Sequence, residues 1–144
     1  IRGTTDSENL FALFCDQLLQ CDTSDRTEAM ANALEATVAE VIALTSDMGV
    51  KGNSYLNLAV TDGQRAVVSR YATNGAESPS LHMCTGKACA CEDGVCRIVQ
   101  TSDRPSAVIV ASEPLDDGPE WEPVPHNHLL LICPDRTLHL RGIA

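Results

Sequence analysis

Three groups of residues in this chain have the types and spacing for chemistry. The first is the run Thr4-Thr5-Asp6-Ser7-Glu8. Thr5 and Glu8 have the spacing of a capping box, in which the two side chains satisfy free backbone donors at a helix start. Asp6 then falls in the first helical turn. A carboxylate there complements the helix dipole, and it can also hold a ligand's ammonium group through charge-assisted hydrogen bonds. The second group is Cys84, Cys89, Cys91 and Cys96, with His82 just upstream; the intervening stretches are four, one and four residues long. Structural zinc sites pair cysteines two to four residues apart in two knuckles, and the single-residue gap departs from that rule. Metal ligation, disulfides and free thiols in a loop all remain open readings. His82 and Cys84 would share one face of a strand, which also makes them a candidate base and nucleophile. The third group is His126-Asn127-His128, a metal pair in outline, placed between Pro125 and an apolar run as a strand edge would be.

Composition bounds what these groups can serve. A chain of 144 residues accommodates one domain. Aromatic residues make up only 3%, so a core must be built from Ala, Val, Leu and Ile. The net charge of −10, with scattered arginines, argues against nucleic acid and anionic membrane surfaces as partners. No apolar run reaches the length of a membrane span; the longest, Leu129-Leu130-Leu131-Ile132-Cys133, has the size of one buried strand. Cys15, Cys21 and Cys133 lie in apolar or helical stretches and read as buried free thiols. An opening of Ile1-Arg2-Gly3, without a methionine or a secretory signal, is expected of a processed chain, a fragment or a chain whose start was lost.

The elements that must position the candidate residues follow from periodicity. A helix is predicted from about Thr5 to Cys21, with Leu10, Phe11, Phe14, Leu18 and Cys21 on its apolar face. A second runs from about Asp25 to Ser46, with Met30, Leu34, Val38, Val41 and Ile42 as its buried stripe. The period then becomes strand-like. Tyr55–Val60 and Arg65–Tyr71 flank Asp62-Gly63, a hairpin signal. Further strands are predicted at Leu81–Cys84, Ala107–Ser112 (buried), Leu129–Cys133 and Thr137–Leu140. Two helices followed by antiparallel strands make an α+β class.

Several of these stretches together resemble the C-terminal part of the class II, or N-terminal-nucleophile, glutamine amidotransferase-like family. They are Gly3-Thr4-Thr5-Asp6-Ser7-Glu8, the segment Leu56–Gly63 followed by Val68-Ser69-Arg70-Tyr71, then Val110-Ala111-Ser112-Glu113-Pro114-Leu115, and finally Trp121-Glu122-Pro123-Val124-Pro125. Within that family the chain is most similar to the γ-glutamyl hydrolases of glutathione degradation and ergothioneine synthesis. The resemblance implies one domain over 1–144, the second half of an αββα sandwich. It also implies a mechanism. An N-terminal cysteine thiolate, with its own α-amino group as base, attacks a γ-glutamyl amide, and water resolves the thioester. Asp6 would hold the substrate's α-ammonium group. The nucleophile, the arginine for the substrate's carboxylate and the oxyanion hole would come from a polypeptide segment upstream, so no catalytic residue is assigned within this chain. No cofactor is expected. The cysteine run is not a feature of the family.

The implied partners are a complementary N-terminal polypeptide or a second copy of the chain, and a small γ-glutamyl substrate. The family likeness favours the cytoplasm, while the cysteines and the chain's opening leave secretion open. The alternative is a non-catalytic protein, lectin-like or for storage, built on a remnant of the same fold. The scarcity of aromatic rings weakens sugar binding.

Overall fold

The computed structural model describes residues 5–85, 87–92, 95–100 and 107–143; of 87–92 and 95–100 it describes the backbone. Two helices come first, α1 (Asp6–Gln20) and α2 (Arg26–Asp47). The strands are β1 (Leu58–Thr61), β2 (Ala66–Arg70), β3 (His82–Thr85), β4 (Lys87–Glu92), β5 (Val95–Gln100), β6 (Val108–Ala111), β7 (Trp121–Pro123), β8 (His128–Ile132) and β9 (Leu138–Gly142). This is the α+β arrangement expected.

Local chemistry explains the helix boundaries. Thr5 caps α1: its Oγ1 accepts the Glu8 N–H at 3.3 Å, while Glu8 Oε2 accepts from Thr5 Oγ1 at 2.9 Å and from the Thr5 N–H at 3.3 Å. Asp25 caps α2, its Oδ1 accepting from the Thr27 and Glu28 amides at 2.8 and 3.3 Å. Gly49, at a φ of +66°, supplies the left-handed turn after α2, a conformation that costs glycine nothing in sterics. Among the described residues, no helix is long and apolar enough to cross a membrane.

The strands divide between two antiparallel sheets, in the orders β1-β2-β8-β9 and β6-β3-β7, and a separate β4-β5 pair. The helices cover one face of the first sheet. There Phe14, Met30, Ala31, Ala33 and Leu34 pack on Val67, Leu129 and Leu131. On the opposite face Val68 and Leu130 meet Leu81, Met83 and Val124 of the second sheet and its flanks. Successive residues of a strand point to opposite faces, so a strand covered on both faces must be apolar throughout. That is why Leu129-Leu130-Leu131 is an unbroken buried run.

Long-range polar contacts lock the layers. Arg141 of β9 donates from Nη1 to Glu28 Oε2 at 3.0 Å and Asn32 Oδ1 at 2.9 Å, and from Nη2 to Glu35 Oε2 at 3.1 Å, all on α2. Arg70 joins the sheets, donating to the carbonyls of Val124 at 2.6 Å, Pro79 at 3.0 Å and Ser78 at 3.2 Å.

Some expectations are corrected. The described residues between Cys84 and Cys96 are strand and not loop: Cys84 lies in β3, Cys89 and Cys91 in β4, and Cys96 in β5, with Cys91 and Cys96 at paired positions. The strand expected at Ala107–Ser112 forms as β6 but is only half-buried, because it is an outer strand of its sheet. Cys15, Cys21 and Cys133 are free thiols and half-buried rather than buried. The Asp62-Gly63 hairpin forms, with Gly63 at a φ of +88° as the first of two central residues, the pattern of a type II′ turn.

Candidate functional site

The N-terminus of α1 opens beside the outer strand of the first sheet. Ser7, Leu10, Phe11 and Phe14 on α1, Leu34 and Thr37 on α2, and residues 57–60 line a groove of about 250 Å³. Phe11 and Phe14 stack in this wall with ring centroids 6.3 Å apart. The floor carries no charged residue. Thr37, buried on α2, donates its hydroxyl proton to the Ala33 carbonyl at 2.7 Å.

Asp6 stands one residue ahead of the groove's lining in the sequence and is exposed. The capping hydrogen bonds of α1 run between Thr5 and Glu8, and the Asp6 carboxylate is not part of them. Among the described residues no hydrogen bond occupies its two oxygens, which lie next to the backbone N–H groups of a helix start. Nothing else in the expected chemistry converges on it from within the described residues.

The other candidates separate from Asp6 and from each other. His82 and Cys84 share one side of β3, as their spacing predicts, with Met83 pointing the opposite way into the core. Cys84 is only 1% exposed, and a nucleophile must be reached by its substrate. His82 Nδ1 lies 3.3 Å from the Ser112 carbonyl. Among the described residues no group of three or more His, Cys, Asp or Glu side chains is placed to hold a metal ion; the side chains of Cys89, Cys91 and Cys96 lie outside them.

His126 and His128 each have one ring nitrogen engaged within the fold. His128 Nδ1 lies 2.7 Å from the His126 carbonyl, and His126 Nδ1 lies 2.7 Å from the Ser78 hydroxyl. Asn127 between them adopts a φ of 52°, and its Oδ1 accepts the Ala72 N–H at 3.0 Å. The triplet is the edge of a strand, turned so that its polar atoms secure the segment after β2. Glu113 likewise serves the backbone corner, accepting from the Ser80 hydroxyl at 2.6 Å.

Among the described residues two carboxylates are held below their ordinary pKa, and both belong to turns. Hydrogen bonds from the Gln64 and Arg65 amides, helped by the Arg65 charge, lower that of Asp62. Hydrogen bonds from the Thr137 amide and then its hydroxyl lower that of Asp135. The groove and the Ser78–His126 contact escaped sequence reasoning because each joins segments far apart in the chain. The apolar α1 face was the only local signal of the former.

No protein-family model matches the chain. It is 36% identical over 146 residues to the Saccharomyces cerevisiae protein named probable glutamine amidotransferase DUG3, an alignment covering 92% of this chain and 41% of that protein. Among solved structures, a glutamine aminotransferase class-II domain protein from Silicibacter pomeroyi superposes with a TM-score of 0.64 at 26% identity, over 99% of this chain and 54% of that one. The chain thus spans about half the length, or less, of these two relatives. The likeness in sequence to the one and in fold to the other together support a place for this chain in the glutamine amidotransferase-like family.

Proposed function

We propose that this chain is part of a glutamine amidotransferase-like γ-glutamyl amide hydrolase, in which Asp6 holds the α-ammonium group of the substrate. A complementary N-terminal polypeptide supplies the nucleophilic cysteine, and the present chain is the C-terminal portion of the domain. The observation that carries the reading is the state of Asp6. It sits in the first turn of α1, exposed, while Thr5 and Glu8 make the capping hydrogen bonds. A carboxylate so placed offers strong, charge-assisted acceptors to an ammonium group, and that contact fixes the substrate's orientation.

The chemistry follows from the family likeness. The thiolate of the partner's N-terminal cysteine adds to the γ-carbonyl carbon. The C–N bond breaks as the leaving amine takes a proton from the partner's α-ammonium group. Water then cleaves the thioester and releases glutamate. Asp6 takes no proton in either step; it positions the substrate. The binding- or storage-protein alternative draws no support from either relative.

Intact mass spectrometry of the native sample, reduced and non-reduced, tests the partner. A second polypeptide beginning with cysteine is expected. In that complex Asp6→Asn is expected to lower kcat/KM for a γ-glutamyl substrate about tenfold to a hundredfold, with the larger part in KM. A lone 15.4 kDa species without hydrolase activity would overturn the reading.

A further inference from the structure

β1 is the outer strand of the four-stranded sheet, and among the described residues it pairs only with β2. The Leu56 and Asp62 amides donate across to β2 and its turn, to Tyr71 O at 2.9 Å and Arg65 O at 3.3 Å. Backbone groups in an antiparallel strand alternate in direction, so Leu58 and Val60 face β2 as well, while the N–H and C=O groups of Ala59 and Thr61 face away from the sheet. Natural outer strands are blunted by proline, charge or a bulge, because an open edge recruits another strand. The run Asn57-Leu58-Ala59-Val60-Thr61 has neither a proline nor a charge. The opposite edge, β9, carries His139 and Arg141, and Arg141 is tied to α2.

The groove lies along this same open edge. Leu10, Phe11 and Phe14 form one wall and Leu58 and Val60 part of the other. Phe11 is 53% exposed, a large apolar ring left in water beside backbone groups that face away from the sheet. Both features suit an extended segment, whose main chain pairs with β1 while its alternate apolar side chains enter the groove. The relatives have the chain for it: this chain covers 54% of the Silicibacter protein and 41% of the yeast one, so each carries further polypeptide that must pack somewhere.

We infer that the Ala59/Thr61 edge of β1 and the adjoining α1 groove form the docking surface for the complementary amidotransferase polypeptide, which adds a strand there. The inference rests on the proposed function, since that reading calls for such a partner. The groove's lining begins at Ser7, the residue after Asp6, so the partner's arrival would build the substrate site at the same junction.

Residue-resolved hydrogen exchange on the native complex tests it. The Ala59 and Thr61 amides are expected to exchange at least a hundredfold more slowly than open amides of the same sequence. Phe11→Glu is expected to weaken association at least tenfold, while Leu19→Glu, 85% exposed on the same helix and outside the groove, leaves it unchanged. A complex that hydrolyses γ-glutamyl substrate while Ala59 and Thr61 exchange at open rates would overturn the docking surface and leave the proposed function standing. A chain with neither partner nor hydrolase activity would overturn both.

Discussion

The hydroxyl of Ser78 lies 2.7 Å from Nδ1 of His126, and the backbone N–H of the same serine donates to that nitrogen at 3.2 Å. An N–H can only donate, so Nδ1 is an acceptor and the ring carries its proton on Nε2. The pair resembles a nucleophile with its base, but Ser78 is 3% exposed and its carbonyl is held by Arg70. Its service is to fasten the segment between β2 and β3. His126→Ala leaves a buried N–H and hydroxyl without their acceptor, which costs about 1–3 kcal/mol. A lowered urea midpoint with an unchanged m-value checks this.

Arg141 is the second fastening. It reaches Glu28, Asn32 and Glu35 from the last strand, and its side chain is 30% exposed. Solvent screens such contacts, so Arg141→Ala is expected to cost about 1–2 kcal/mol, less at high salt. Arg141→Lys should restore only part of that, because an ammonium cannot span three acceptors as a planar fork does. Thermal melts at two ionic strengths distinguish the outcomes.

At the start of α1 the two neighbouring residues should separate cleanly. Thr5→Ala removes the cap and is expected to lower stability by about 1 kcal/mol. Asp6→Asn leaves the capping bonds in place and should cost no more than about 0.5 kcal/mol of dipole interaction. Paired denaturation curves read the difference. An Asp6→Asn effect as large as that of Thr5→Ala would show that the aspartate is chiefly structural.

Acid should report on the β1–β2 turn. The pKa of Asp62 is held below its ordinary value of 3.8, first by the Gln64 and Arg65 amides. A depressed folded-state pKa adds stability that is fully present above the unfolded value and is lost as pH falls through the folded one. The stability difference between the native chain and Asp62→Asn should therefore be constant near neutrality and shrink below pH 3.8. Urea midpoints measured across that range give the comparison.

Much of the architecture was legible because its determinants are local. Thr5, Glu8 and Asp25 mark both helix starts, and the apolar period of three and four residues gives the buried faces. The hairpin at Asp62-Gly63 and the run Leu129-Leu130-Leu131 were equally plain. The β4–β5 pair was not: Lys87, Ala88, Ala90 and Glu92 of β4 are poor strand formers, and four cysteines in one stretch drew attention to sulfur chemistry instead of backbone pairing. β7 was hidden by Pro123, which is tolerated only because the strand is an outer one. Asp6 could be picked out by type and position. The groove beside it could not, since residues 7–14 meet residues 57–60 only after the sheet has formed.

The buried run in β8 has a consequence for how the chain finds its fold. A strand with leucines facing both ways could slide by one position and still bury every one of them, so polarity does not choose its alignment. Asn127 makes that choice. Its left-handed turn begins the strand, its side chain takes the Ala72 amide on one flank, and its carbonyl takes the Ile143 amide at 2.8 Å on the other. One polar residue at the strand's mouth sets the registration against both neighbours, which the leucines themselves leave undecided.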